Sequence, residues 1–268
     1  VRGLEQYFKE FEVLCRKKTS QRILAILFPG TITLWSATTT GFSPTSIASG
    51  LYEIYRFIVY EMFSVKPEIL IQLVEPTLST IIMSYIAVMA SIAVSFVLAF
   101  FAAASTSPHP WLQIVTRGFA TGLRTIPDMV WVMLVVPAYG IGVTAGTIAL
   151  FISGTGLLTR SFAEVLEAID MDKLNALKAA GANWIQIMGR GVMPQFLPGL
   201  ASWSLFGFDT NIRSSAIIGM VGGGGLGFAI QSGLKLYRFD VVTMAILEMA
   251  VLFIVIDYIT DRIRRCII

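Results

Sequence analysis

The chain has 268 residues, 55% of them apolar or aromatic and 14% charged, against about 25% charged in an ordinary water-soluble domain. That shortfall argues against a soluble enzyme core and for long segments facing hydrocarbon, where an Asp, Lys or Arg at a helix centre costs about 2.5–3.5 kcal/mol. A formal net charge of +3, with 20 Lys and Arg scattered along the chain, argues against a nucleic-acid partner.

A crossing needs about 20 mostly apolar residues. The first predicted span is 23–40, behind the basic residues Arg16, Lys17, Lys18 and Arg22. Glu5, Lys9, Glu10 and Glu12 ahead of it make a poor secretory n-region, so it reads as a retained anchor, with 1–22 a cytoplasmic segment. The opening Val1 leads us to expect further N-terminal sequence. Between the first and second spans, Ile47, Leu51, Ile54, Tyr55, Ile58 and Met62 recur at helical spacing among Glu53, Arg56 and Glu61, which predicts an amphipathic helix on the membrane surface.

The second span is 76–104, free of charge and longer than the hydrocarbon requires. Ala87, Ser91, Ser95, Ala99 and Ala103 recur every fourth position and give it one small-residue face for close helix approach. His109, in Ser107-Pro108-His109-Pro110, reads as a loop residue without ligand partners. The third and fourth spans are 122–139 and 143–168, with Gly142 and Gly146 as a second small-residue contact. The fifth and sixth are 196–220 and 241–258.

Orientation follows from Lys and Arg. With the N-terminus inside, cytoplasmic segments hold Arg2, Lys9, Arg16, Lys17, Lys18, Arg22, Arg117, Arg124, Lys173, Lys178, Arg190, Arg262, Arg264 and Arg265. External segments hold Arg56, Lys66, Lys235 and Arg238. This positive-inside bias puts both termini in the cytoplasm and accounts for the basic excess. Cys15 and Cys266 then stay reduced, so neither a disulfide nor a metal site is implied.

The longest internal cytoplasmic segment is 170–191. Leu174–Ala180 is a good helix former, and Gly181 can close that helix in a left-handed cap. A second short helix is predicted over Trp184–Met188. Helix, glycine corner and apolar knob make a plug suited to a groove in another protein; the alternative is an ordinary loop.

This stretch resembles the coupling loop of ATP-binding-cassette (ABC) importer permeases, Glu-Ala-Ala, three residues, Gly, nine residues, Ile, one residue, Leu-Pro. The aligned positions are Asn175-Ala176-Leu177, Gly181, Gly191, Met193 and Pro194, with Asn175 where the family has an acid. Glu167-Ala168-Ile169-Asp170, Ala180-Gly181-Ala182, Pro194-Gln195-Phe196-Leu197-Pro198, Asn211-Ile212-Arg213, the run Ile218–Gly227, and Asp257 with Arg262-Ile263-Arg264 are similar to the phosphonate-importer permeases. The resemblance implies an all-α polytopic membrane protein of the type I importer kind, with about six transmembrane helices and a cytoplasmic coupling helix. It also implies a homodimer, two cytoplasmic ABC ATPase subunits that carry the ATP and magnesium, and an extracytoplasmic substrate-binding protein delivering phosphonate or a related oxyanion. Asn175, Ala176, Leu177, Ala180, Gly181, Ala182 and Pro194 are the implied ATPase-coupling residues. No cofactor or metal is expected on this chain, and it sits in the bacterial inner membrane.

Asp209 and Arg213 lie four residues apart on the fifth span, on one helix face. Unpaired in hydrocarbon they would cost about 5–7 kcal/mol together, so they pair or face water. Two readings stay open. With Thr210, Ser214 and Ser215 they line a translocation route on which Arg213 offsets an anion's charge, or they form an internal or dimer-interface ion pair. Arg124 with Asp128, and Arg160 with Glu164, repeat the spacing and read as local neutralisation or as gate contacts. Glu248 on the sixth span has no close sequence partner; an interhelical hydrogen bond or a proton relay are its two readings.

Gly222, Gly223, Gly224 and Gly225, followed by Leu226-Gly227, are placed outside the membrane as a flexible hairpin serving as gate or hinge, with anion binding by its amides as the alternative. No Gly-Lys-Ser or Gly-Lys-Thr follows, so ATP hydrolysis is assigned to a partner. The competing functions are a secondary carrier coupled to protons through Asp128, Asp209 or Glu248, and an importer permease for another small solute such as an amino acid. A membrane-embedded enzyme lacks any nucleophile and base at workable spacing.

Overall fold

The computed structural model describes residues 27–62 and 66–267. The expected segment 1–22, the start of the expected first span and Cys15 lie outside them. The chain divides after Glu61 into two units.

In the first unit, 27–40 is helical (α1) and ends at Gly41, whose φ is +67°. Its threonines bond back to carbonyls of their own helix, Thr31 Oγ1 donating to the Phe28 carbonyl at 3.0 Å and Thr38 Oγ1 to the Trp35 carbonyl at 2.9 Å. Helix α2, Pro44–Arg56, starts with Pro44 in its first turn, where the missing N–H costs nothing, and widens into a π-type turn over Phe57–Met62. The expected amphipathic helix is thus helical, and Leu51, Ile54, Tyr55 and Ile58 are exposed on it.

The second unit is built of α3 Glu68–Ala102, α4 Pro110–Thr125, α5 Asp128–Tyr139 and α6 Val143–Glu167. Then come α7 Met171–Ala179, α8 Trp184–Ile187, α9 Met193–Ile218, α10 Gly225–Lys235 and α11 Phe239–Ile267. Among the described residues, α3, α6 and α11 are long and apolar enough to cross a membrane. The number reaches five if the bent pairs α4 with α5, and Trp184–Gly223 with α10, each count as one.

Helix α3 starts eight residues before the expected Pro76, which lies inside it. Proline withholds one backbone donor from the α3 ladder, and one turn further on Thr80 Oγ1 donates to the Pro76 carbonyl at 2.9 Å. The expected small-residue face is buried against α6. Ala87, Ser91, Ser95 and Ala99 have no exposed surface. Ser91 and Ser95 donate to the Phe151 and Thr155 carbonyls across the contact, each at 3.1 Å. Gly154 of α6 supplies the other half of the fit, since a Cβ there would stand 2.8 Å from Ser91 Oγ.

The expected third span, 122–139, is not one helix. Pro127 forces Ile126 into extended backbone (ψ 124°), so α4 stops at Thr125 and α5 leaves at 86° to it. Trp131 Nε1 donates to the Leu123 carbonyl at 3.2 Å across the bend. His109 is the loop residue expected, and its Nδ1 caps α4 by accepting from the Trp111 amide at 3.1 Å.

Helix α10 was not anticipated, and the glycine run is not an exposed hairpin. Gly222, Gly223 and Gly224 are buried in a corner where the helix direction turns by 51°. Gly222, Gly224 and Gly225 all have positive φ, which a side chain resists. The Gly142 amide donates to the Gly222 carbonyl at 2.8 Å, and Thr80 Oγ1 accepts from the Leu226 amide at 2.9 Å. The corner is therefore seated on α3 and on the turn between α5 and α6.

Candidate functional site

Two regions gather the candidate residues. The first is the loop after α6. Asp170 Oδ1 accepts from the amides of Asp172 at 3.0 Å and Lys173 at 3.5 Å, closing the N-terminus of α7. Desolvation raises the Asp170 pKa, but those two amides and the Lys173 ammonium lower it further, and the net places the carboxyl below the ordinary aspartate range. Gly181 ends α7 as expected, at φ +78°, with its amide on the Lys178 carbonyl at 3.0 Å and the Ala182 amide on the Leu177 carbonyl at 3.1 Å. Asn183 and Gln186 then form a reciprocal capping box, both bonds 2.9 Å, that opens α8.

The second short helix does not stand alone. From Trp184 it runs through a wide π-type turn, Met188–Val192, directly into α9. Pro194 explains the widening: it brings no N–H to the ladder, and the Met193 amide reaches five residues back to the Met188 carbonyl. Gln195 rivets the junction, its Oε1 accepting from the Asp170 amide at 3.2 Å and its Nε2 donating to the Gly191 carbonyl at 2.9 Å.

The loop is also rooted in the core. Leu174 is buried with Ile169, Val192, Phe162 and Phe196, and the Phe196 ring lies 6.0–6.1 Å from those of Phe96, Phe100 and Phe162. Arg117 ties α4 in: Nε donates to the Ala102 carbonyl at 2.7 Å and Nη2 to Glu167 Oε1 at 2.5 Å, which also accepts from the Ala104 amide at 2.6 Å. Of the expected coupling residues, Asn175, Ala176, Ala180, Gly181 and Pro194 are exposed, and Leu177 and Ala182 are half-buried. Beside them Trp184 and Ile185 are 72% and 73% exposed, an apolar knob facing outward from the chain.

The second region is the charged face of α9. Arg213 Nη2 lies 3.0 Å from Asp209 Oδ2, so the expected pair forms, and 3.1 Å from Asp257 Oδ1 of α11. Sequence spacing could not reveal Asp257, which is far along the chain. Thr210 and Ser214 are half-buried beside the pair, and Ser215 is buried and bonded back to the Ile212 carbonyl at 2.6 Å. Arg160 and Glu164 pair at 2.9 Å. Arg124 and Asp128 do not, because the Pro127 bend puts them on different helices, and Asp128 makes no ion pair among the described residues. Glu248 finds an interhelical partner, accepting from Thr77 Oγ1 at 2.6 Å, while its Oε2 is buried without one.

Residues 95–267 match the family described as the binding-protein-dependent transport system inner membrane component. The chain belongs to that family. This ABC importer permease is similar to the phosphite transport system permease protein PtxC of Stutzerimonas stutzeri, 31% identical over 192 residues, 72% of this chain and 70% of that one. The phosphate-import permease protein PhnE of Mycolicibacterium smegmatis is 32% identical over 185 residues, 69% of this permease and 35% of that protein. The putative cryptic phosphonate transport system permease protein PhnE2 of Escherichia coli is 34% identical over 118 residues, 44% and 97% of the two chains. In fold the permease matches an inward-facing MetNI methionine ABC transporter chain with a TM-score of 0.68 at 22% identity, over 76% of this chain and all of that one.

Proposed function

We propose that this permease carries a phosphorus oxyanion, phosphonate, phosphite or phosphate, inward across the bacterial inner membrane. The observation that carries the reading is the 31% identity to a phosphite permease across 72% of the chain. The exposed knob of Trp184 and Ile185, rooted through Leu174 in the helix core, supports a docking role for 170–191 on cytoplasmic ATPase subunits. ATP and magnesium belong to those subunits, and an extracytoplasmic binding protein delivers the anion. Two copies of the permease enclose the route, with both termini in the cytoplasm. Asp209, Arg213, Ser214 and Asp128 contribute to the route, and the corner Gly222–Gly225 serves as its hinge.

The test is uptake of labelled phosphite, phosphate and methylphosphonate by vesicles holding the permease with its ATPase and binding protein. ATP-dependent accumulation of at least one anion is expected. Accumulation of none, with assembly intact, overturns the substrate reading.

A further inference from the structure

The cluster of Asp209, Arg213 and Asp257 carries an inference that rests on the oxyanion reading above. Its side chains are 14%, 53% and 57% exposed on the chain's own surface, and two carboxylates against one guanidinium leave a net negative charge. Lipid tails cannot cover such a face, because each charge held in hydrocarbon costs about 2.5–3.5 kcal/mol. It meets water or another polar surface.

The geometry within the cluster is uneven. Both carboxylates approach the same nitrogen, Nη2, at 3.0 Å and 3.1 Å, while Nε and Nη1 make no hydrogen bond among the described residues. Asp209 sits one turn away on α9 and is largely buried, so it is fixed to Arg213 in any state of that helix. Asp257 reaches over from α11 and is the more exposed of the two. A guanidinium with open N–H edges is the group best matched to a tetrahedral oxyanion. With Asp257 in place Arg213 is shared between two carboxylates, while Arg262 and Arg265 line the surface beside Asp257; with Asp257 withdrawn, a neutral Asp209–Arg213 pair presents its free edges.

We propose that Asp257 is a built-in stand-in for the cargo: it occupies Arg213 in the empty permease and is displaced when the oxyanion takes over the guanidinium. The exchange trades one anion for another at Arg213 and releases the ion pair between α11 and α9, while the apolar packing of Ile212 with Met249 and Leu252 stays in place. Anion binding and the loss of that ion pair are then one event.

The test uses vesicles containing permease, ATPase and binding protein, with labelled phosphite, phosphate and methylphosphonate as probes. Asp257→Asn removes the competitor and is expected to lower the half-saturating anion concentration several-fold. Arg213→Gln is expected to cut uptake about tenfold or more, the size of a lost charge-assisted hydrogen bond. The exchange R213D/D257R restores a charge pair between α9 and α11 at the same net charge but gives up the pair with Asp209, so its unfolding temperature is expected to fall somewhat while its uptake falls with that of Arg213→Gln. Restored uptake in the exchange variant makes the pair purely structural and overturns the proposal. An unchanged half-saturation in Asp257→Asn overturns it as well, and that measurement decides alone if the exchange variant does not assemble. If the unaltered permease carries none of the three anions, the substrate reading fails instead.

Discussion

Gly146 of α6 lies against Gly223 of the corner between α9 and α10 so closely that a methyl group on Gly146 would overlap the Gly223 carbonyl oxygen. The obstacle is backbone, which cannot rotate away. Gly146→Ala is therefore expected to destabilise the permease by about 1–3 kcal/mol, the usual range for overpacking. Gly118→Ala on α4, with open space around it, serves as the control. Thermal unfolding in detergent separates them, and equal midpoints would refute the fit.

Gly181 presents a different case, since nothing crowds it and only its φ of +78° forbids a side chain. Gly181→Val should strain the end of α7 by about 1–2 kcal/mol, the cost of a left-handed conformation for a side chain. Insertion in the membrane should be unaffected while the ATPase no longer copurifies. Normal copurification would remove the corner from the docking surface.

Trp184 and Ile185 bury little within the chain. W184A/I185A should leave the unfolding midpoint nearly unchanged and still weaken ATPase binding, which pull-down at graded ATPase concentrations reads directly.

Asp170 gives the loop a pH signature. Its carboxyl is held below the ordinary aspartate range, so its contribution is present above the unfolded pKa of about 4 and is lost as pH falls through the lower folded value. Protection of the α7 amides against hydrogen exchange, taken relative to the intrinsic rate at each pH, should be constant from neutral pH downward and fall only in strong acid. Asp170→Ala should show the reduced protection already at neutral pH. A loss of α7 protection between pH 7 and 5 would contradict this cap.

Thr77→Val removes the donor to Glu248, whose other oxygen already lacks a partner. A loss of about 1–3 kcal/mol is expected for stranding a buried acceptor. Thr77→Ser should recover most of it.

Features fixed by short-range spacing were legible in the sequence. The every-fourth small residues of α3, the Asp209–Arg213 and Arg160–Glu164 pairs and the Gly181 cap each depend on residues within one or two helical turns. The misses were of two kinds. Glycine-rich 222–225 reads as loose chain, yet Leu226, Ile230 and Gly233 are buried at helical spacing on α10, and the glycines are there because backbones touch. The bend at Ile126–Pro127 went unseen because the flanking residues are apolar on both sides and composition carries no angle. Asp257 at Arg213, Glu167 at Arg117 and Thr77 at Glu248 are set by how distant helices pack, which local spacing does not encode.

Because Trp184 begins a helical run that reaches to the break at Gly222, the knob at one end and the glycine corner at the other are joined by one element about 55 Å long. Pivoted near one end, such a rod turns a tilt of about 5° into roughly 5 Å of travel at the other. A push on two exposed side chains is thus felt at the tip without any relay of intermediate contacts.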